Sequence, residues 1–186
     1  MRPTSLRVAV SNTGPLISAL QSNCMHILQQ FYDQIHIPVD EIIELQKHGA
    51  GQEISRYLKT GFMVVHEDFT LNEIHAAKAI AREIADHRAT RDRNPANHLP
   101  EAFAIVLVQR SRLGAIELLI DELAARDVAR LRKVPLIGFP GILIRACRQS
   151  IIVPDEAKSA LEECQRQGTH YSPKLINGIY SNLKRL

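Results

Sequence analysis

Leu6-Arg7-Val8-Ala9-Val10-Ser11, followed at once by Asn12-Thr13-Gly14-Pro15, is the stretch on which the fold turns. Its first six residues are mostly apolar and rich in β-branched side chains, which suits a strand, and the Asn-Thr-Gly-Pro behind them stops that strand in a turn. Pro15 fits a first helical turn, where its missing N–H would have no partner anyway, so a helix over 16–31 is expected. The alternation then repeats. Residues 34–37 form a short strand closed by Pro38, and 39–48 a helix with an acidic first turn, ended by Gly49. Residues 62–66 are a third strand. Ile74, Ala77, Ile80, Ala81 and Ile84 recur at helical spacing within 71–87.

Residues 88–98 (RATRDRNPANH) are polar and Pro-containing, as an exposed loop would be. The apolar run that follows is too uniform for periodicity to separate helix from strand; its length and Pro100-Glu101 start favour a helix over 100–112. A fourth strand is expected at 117–120, a helix at 122–133, a fifth strand at 134–139, and helices at 141–149, 155–167 and 173–184. Strands alternating with helices imply a parallel sheet covered on both faces.

Composition agrees with a single domain over 1–186. The chain has 45% apolar and 23% charged residues, near the globular average. The longest apolar run, 102–108, has seven residues against about 18 for a membrane span. Ser11, Asn12 and Thr13 interrupt the N-terminal apolar stretch too early for a signal peptide. The three cysteines are widely spaced and make neither a disulfide framework nor a CxxC pair, so a reduced, cytoplasmic, soluble protein is expected. The net charge of +3 is slight, but arginines cluster: Arg82, Arg88, Arg91 and Arg93 in one segment, Arg126, Arg130 and Arg132 in another. They are either solvated surface or a footprint for a polyanion.

In an open parallel sheet, ligands gather at the carboxyl ends of the strands. Asn12 follows the first strand and Asp121 the fourth. Asp40, Glu41 and Glu44 open the helix after the second strand, and Glu101 the helix before the fourth. Glu44, Glu101 and Asp121 converging near Asn12 would make an oxygen-lined pocket suited to Mg²⁺ or Mn²⁺. Each has a plainer explanation: Glu101 in a helix macrodipole, Glu44 on a solvated face with Asp40 and His48, Asp121 as a cap, Asn12 as a turn residue. Neither GxGxxG, nor GxxxxGK[ST], nor GxSxG occurs, which sets aside dinucleotide, P-loop and elbow-type hydrolase sites.

The run Val10-Ser11-Asn12-Thr13-Gly14-Pro15-Leu16-Ile17 resembles the opening of PIN-domain proteins, in particular the prokaryotic predicted nucleic-acid-binding group akin to ribonuclease toxins of toxin–antitoxin pairs. Ile37-Pro38 through Glu44-Leu45 is similar to that group's second motif, and Leu99-Pro100-Glu101-Ala102 to its acidic helix start. Leu118-Leu119-Ile120-Asp121-Glu122, with Ala125-Arg126 and Val134-Pro135-Leu136-Ile137-Gly138, resembles its fourth strand, Arg-bearing helix and fifth strand. The match spans about 6–150, leaving a C-terminal helical extension at 151–186.

The resemblance implies a three-layer α/β/α sandwich with a parallel sheet of about five strands and a Mg- or Mn-dependent ribonuclease site. Its acidic set would be Asn12, Glu44, Glu101 and Asp121, with Thr13 holding a water or phosphate. Arg88, Arg91, Arg93, Arg126 and Arg130 would contact RNA phosphates. An antitoxin-like partner and a homodimer are further expectations from the resemblance. The departure is Asn12, where the family has Asp; the lost charge should weaken metal affinity. The alternatives are a catalytically weak or inactive module that binds RNA or a protein partner, and an α/β protein with no nucleic-acid role.

Overall fold

The computed structural model describes residues 6–47 and 51–185, without the side chains of 43, 44, 46 and 47. β1 (Val8–Ser11) is buried along its whole length, as befits a strand covered on both faces. Parallel neighbours flank it: β2 (Gln34–Pro38), with β3 (Met63–His66) beyond, and on the other side β4 (Glu117–Leu119) and β5 (Leu136–Ile137). The order is β3-β2-β1-β4-β5, all parallel. β1 and β4 are therefore adjacent, as their place before Asn12 and Asp121 predicts.

Side chains alternate across the sheet. Ala9, Ile35, Ile37 and Leu119 face a core made with α1 (Thr13–Gln21), α2 (Met25–Phe31), α8 (Phe139–Arg148), α9 (Pro154–Arg166) and α10 (Pro173–Leu183). Val10, Leu118 and Ile120 face the opposite core, covered by α5 (Leu71–Asp86), α6 (Leu99–Val108) and α7 (Leu123–Leu131). This is an α/β/α sandwich. The last two helices contribute Ala157, Leu161, Cys164, Ile176 and Leu183 to the first core, so the C-terminal extension packs as part of the domain.

Three local expectations need correction. The helix expected over 16–31 is two helices, because Asn23 turns left-handed (φ 55°) between α1 and α2, a conformation Asn tolerates better than most residues. Sequence reading gave no element at the helix α4 (Gly51–Lys59), which follows α3 (Val39–Lys47). α4 seats Ile54, with Tyr57 and Leu58, on the first core, and its other positions are too polar for a strong apolar signal. The 88–98 loop carries a 3-10 turn over Pro95–His98. Asp92 organises it, accepting from Asn94 N at 2.9 Å and Asn97 Nδ2 at 2.7 Å. On the sheet, His36 of β2 is buried and meets His66 of β3 at 2.7 Å.

Candidate active site

The chain leaves β1 at Ser11, and the backbone N–H of Asn12 continues the ladder by donating to Leu119 O at 2.9 Å. Asn12 is extended and caps α1, its Oδ1 accepting from Gly14 N at 3.2 Å. That fixes which end of the amide points where. Nδ2 donates to Glu41 Oε1 at 3.1 Å, and the backbone N–H of Thr13 donates to Glu41 Oε2 at 2.8 Å. Glu41 lies in the first turn of α3 and is 0% exposed; Asn12 is 5% and Thr13 1% exposed. A fully buried carboxylate is thus held by two N–H donors from the β1–α1 junction, which offset part of its desolvation.

On the β4 side, Asp121 stands two residues beyond the strand. Its Oδ1 accepts from Phe139 N at 2.9 Å, the first residue of α8, and its Oδ2 from the Tyr171 hydroxyl at 3.0 Å. It does not cap α7; Glu122 does that, accepting from Ala125 N at 2.5 Å. Asp121 instead sits at the positive end of α8. Burial nevertheless pushes its pKa above the usual carboxylate range, against the pull of Phe139 N–H, Tyr171 and Arg126. Burial and Asp121 together push the Tyr171 phenol upward. The Tyr171 oxygen also lies 2.9 Å from Ser18 Oγ; with its own proton given to Asp121, it accepts from Ser18.

Gly14 joins the halves. A Cβ built there would lie 3.6 Å from Asn12 Oδ1 and 3.9 Å from Asp121 Oδ2, so both side chains border one small space at the carboxyl edge of the sheet. Gly138 closes the floor. A Cβ at Gly138 would collide with Asp121 Oδ1 and come within 2.7 Å of Arg126 Nη1, which only glycine avoids. Arg126 Nη1 donates to Ile120 O at 2.7 Å.

Of the site residues expected from sequence, Asn12, Thr13 and Asp121 come together here. Glu101 lies in the first turn of α6, which packs across β1, β2 and β4, and its Oε2 is sealed from solvent. The Glu44 side chain lies outside the described residues. Two residues that the expected set did not include bond to its members here: Glu41 and Tyr171. Glu41 had a signal, since it precedes fully buried Leu45 by four residues and so shares its helical face, whereas Glu44 shares one with Asp40. Tyr171 had none.

The basic segments, far apart in sequence, lie close together. His87 at the end of α5 reaches Asp127 of α7 at 3.6 Å, and Arg132 reaches Glu83 at 2.7 Å. Exposed Arg88 and Arg91 therefore lie beyond the α5 end that borders α7, which carries Arg126 and Arg130. Arg130 pairs with Asp127 at 2.5 Å, and Arg93 donates to Ala85 O at 3.0 Å, so both spend part of their donor capacity within the chain.

PIN domains generally use divalent metals, and an all-oxygen donor set is the right kind for Mg²⁺ or Mn²⁺. The arrangement fits less well. Among the described residues no three His, Cys, Asp or Glu side chains gather as a group able to hold an ion. Asn12 directs an N–H, not an oxygen, at Glu41, and its oxygen is bonded to Gly14 N. Among the described side chains, Asn12 and Glu41 meet each other as hydrogen-bond donor and acceptor.

No helix among the described residues is long and apolar enough to cross a membrane. Comparison with known proteins found no match among curated proteins or solved structures. The sequence profile of the PIN domain matches residues 8–185, taking in the sheet, the carboxylate site and the C-terminal helices. With nearly the whole length matched and the β3-β2-β1-β4-β5 sheet in place, the chain belongs to the PIN-domain family.

Proposed function

We propose that this protein is an RNA-binding PIN module whose hydrolytic site is attenuated, so that it holds RNA and cuts it slowly or not at all. The observation that carries this reading is the Asn12 Nδ2–Glu41 Oε1 hydrogen bond. An Asp at position 12 would face Glu41 with like charge and favour a cation between them; the amide satisfies Glu41 without one. Family membership supports a nucleic-acid substrate, and the His87–Asp127 contact, which brings the end of α5 that precedes Arg88 and Arg91 against the helix carrying Arg126 and Arg130, supports phosphate contacts.

A second reading, a fully active Mg- or Mn-dependent ribonuclease acting as a toxin, is favoured by the burial of Glu41, Asp121 and the Oε2 of Glu101, acids that a purely structural site has little reason to keep. One experiment separates the two: a labelled RNA pool incubated with wild-type and Asn12→Asp protein, with and without manganese. The attenuated reading expects binding by both proteins and clear manganese-dependent cleavage by the variant alone. Robust cleavage by wild type would establish the second reading. Binding should weaken by orders of magnitude between low and physiological salt; affinity indifferent to salt would remove RNA as the partner.

A further inference from the structure

Beside Asp121, and outside the Asn12–Glu41 pair, a groove of about 470 Å³ opens between α7, the β5–α8 turn and the segment leading into α10. Its size lies within the range of about 300–1,000 Å³ usual for small-molecule sites. Its lining includes Arg126, a half-buried guanidinium that gives Nη1 to Ile120 O and makes no ion pair among the described residues. His170, Leu175 and Leu123 also line it. Leu123 and Leu175 are 57% and 43% exposed, which leaves apolar surface within the groove's lining. Tyr171 and Gly138 form the floor.

We infer that this groove is a nucleotide subsite, in which Arg126 takes a phosphate and His170 with Leu175 takes the base of a residue of single-stranded RNA. A guanidinium with unused donors in a partly desolvated wall suits a phosphate dianion or diester. An imidazole and leucine side chains lining one groove offer flat and apolar surfaces to a base, the sequence-tolerant kind of contact by which single strands are held. Asp121 Oδ1 and Arg126 Nη1 border the same point above Gly138, and each carboxylate oxygen is met by a donor, Phe139 N or the Tyr171 hydroxyl, which offsets part of its repulsion of an anion on Arg126. The C-terminal segment thereby contributes to recognition as well as to the core. This inference rests on the RNA reading above and assigns the chain's C-terminal residues a part in it.

The test uses the full chain without added metal. Nucleoside 5′-monophosphates, ribose 5-phosphate and inorganic phosphate are titrated by calorimetry, with backbone amide shifts followed by NMR, and RNA binding is measured in parallel. A nucleotide is expected to bind at least fivefold tighter than ribose 5-phosphate, moving the amides of Gly138, His170 and Leu175. His170→Ala and Leu175→Ser, both outside the core, are expected to remove that preference while leaving phosphate binding unchanged. Equal affinity for nucleotide and ribose phosphate, or shifts confined to Arg88 and Arg91, would overturn the subsite; if RNA were still bound, the RNA-binding function would stand without it. Mononucleotide binding here with no RNA binding would uphold the groove and overturn the RNA reading. Loss of both would overturn both.

Discussion

The two halves of the site hold their carboxylates by opposite means. Glu41 is sealed from solvent, and both its oxygens are met by N–H groups fixed by β1 and the start of α1. Asp121 has one backbone N–H and one phenol, borders a groove, and has its pKa raised by burial. The first half is a closed structural joint made from site residues; the second keeps an electrostatically costly acid where a ligand can reach it. Perturbed acids beside open clefts mark function more often than stability.

The largest test of this contrast is Glu41→Ala. It would strand the Asn12 amide and the Thr13 N–H in a buried place and leave a cavity, for a loss of about 3–5 kcal/mol in denaturant unfolding. A loss under about 1 kcal/mol would show that Glu41 is not the joint described. Next comes Asn12→Asp, which replaces a donor with a second carboxylate. We expect about 2–3 kcal/mol of destabilisation at neutral pH. The repulsion raises the folded pKa of the new pair, so the deficit should shrink as pH falls and one acid takes a proton. Manganese should raise the variant's Tm more than the wild type's; equal shifts would mean that position 12 does not govern ion binding.

Gly138→Ala probes the junction between Asp121 and Arg126. Its backbone φ is −104°, so the cost is one of space, about 1–3 kcal/mol, and it should fall on nucleotide binding as well as on Tm. An unchanged Tm would show that the floor is looser than described. The smallest effect concerns Asp121→Asn. A carboxyl whose folded pKa lies above its unfolded value contributes stability that is complete below the unfolded pKa and is lost as pH rises through the folded one. The variant should therefore gain on wild type as pH rises from acid to neutral. A gap that stays constant with pH would mean that burial does not tax this acid.

Much of this architecture was legible in the sequence. Short β-branched runs stopped by turn residues located the strands, and the strand ends placed Asn12 and Asp121 next to each other before any contact was seen. These are local signals, set by propensity and period over a few residues. What remained hidden was rotational phase and long-range closure. Glu41 was one of several acids in the first turns of α3, and the packing of Leu45 against the core turned it toward Asn12.

Tyr171 lies 50 positions from Asp121 and 153 from Ser18, yet bonds to both. The sequence by itself determined the order of strands and helices, the parallel sheet and the edge where ligands would gather, because hydrophobic period and turn chemistry act locally. Only the tertiary structure decided that Glu41 answers Asn12, what holds Asp121, and that the segment leading into α10 walls a groove beside it. Those contacts depend on how whole elements rotate and dock, and no short stretch of sequence encodes them.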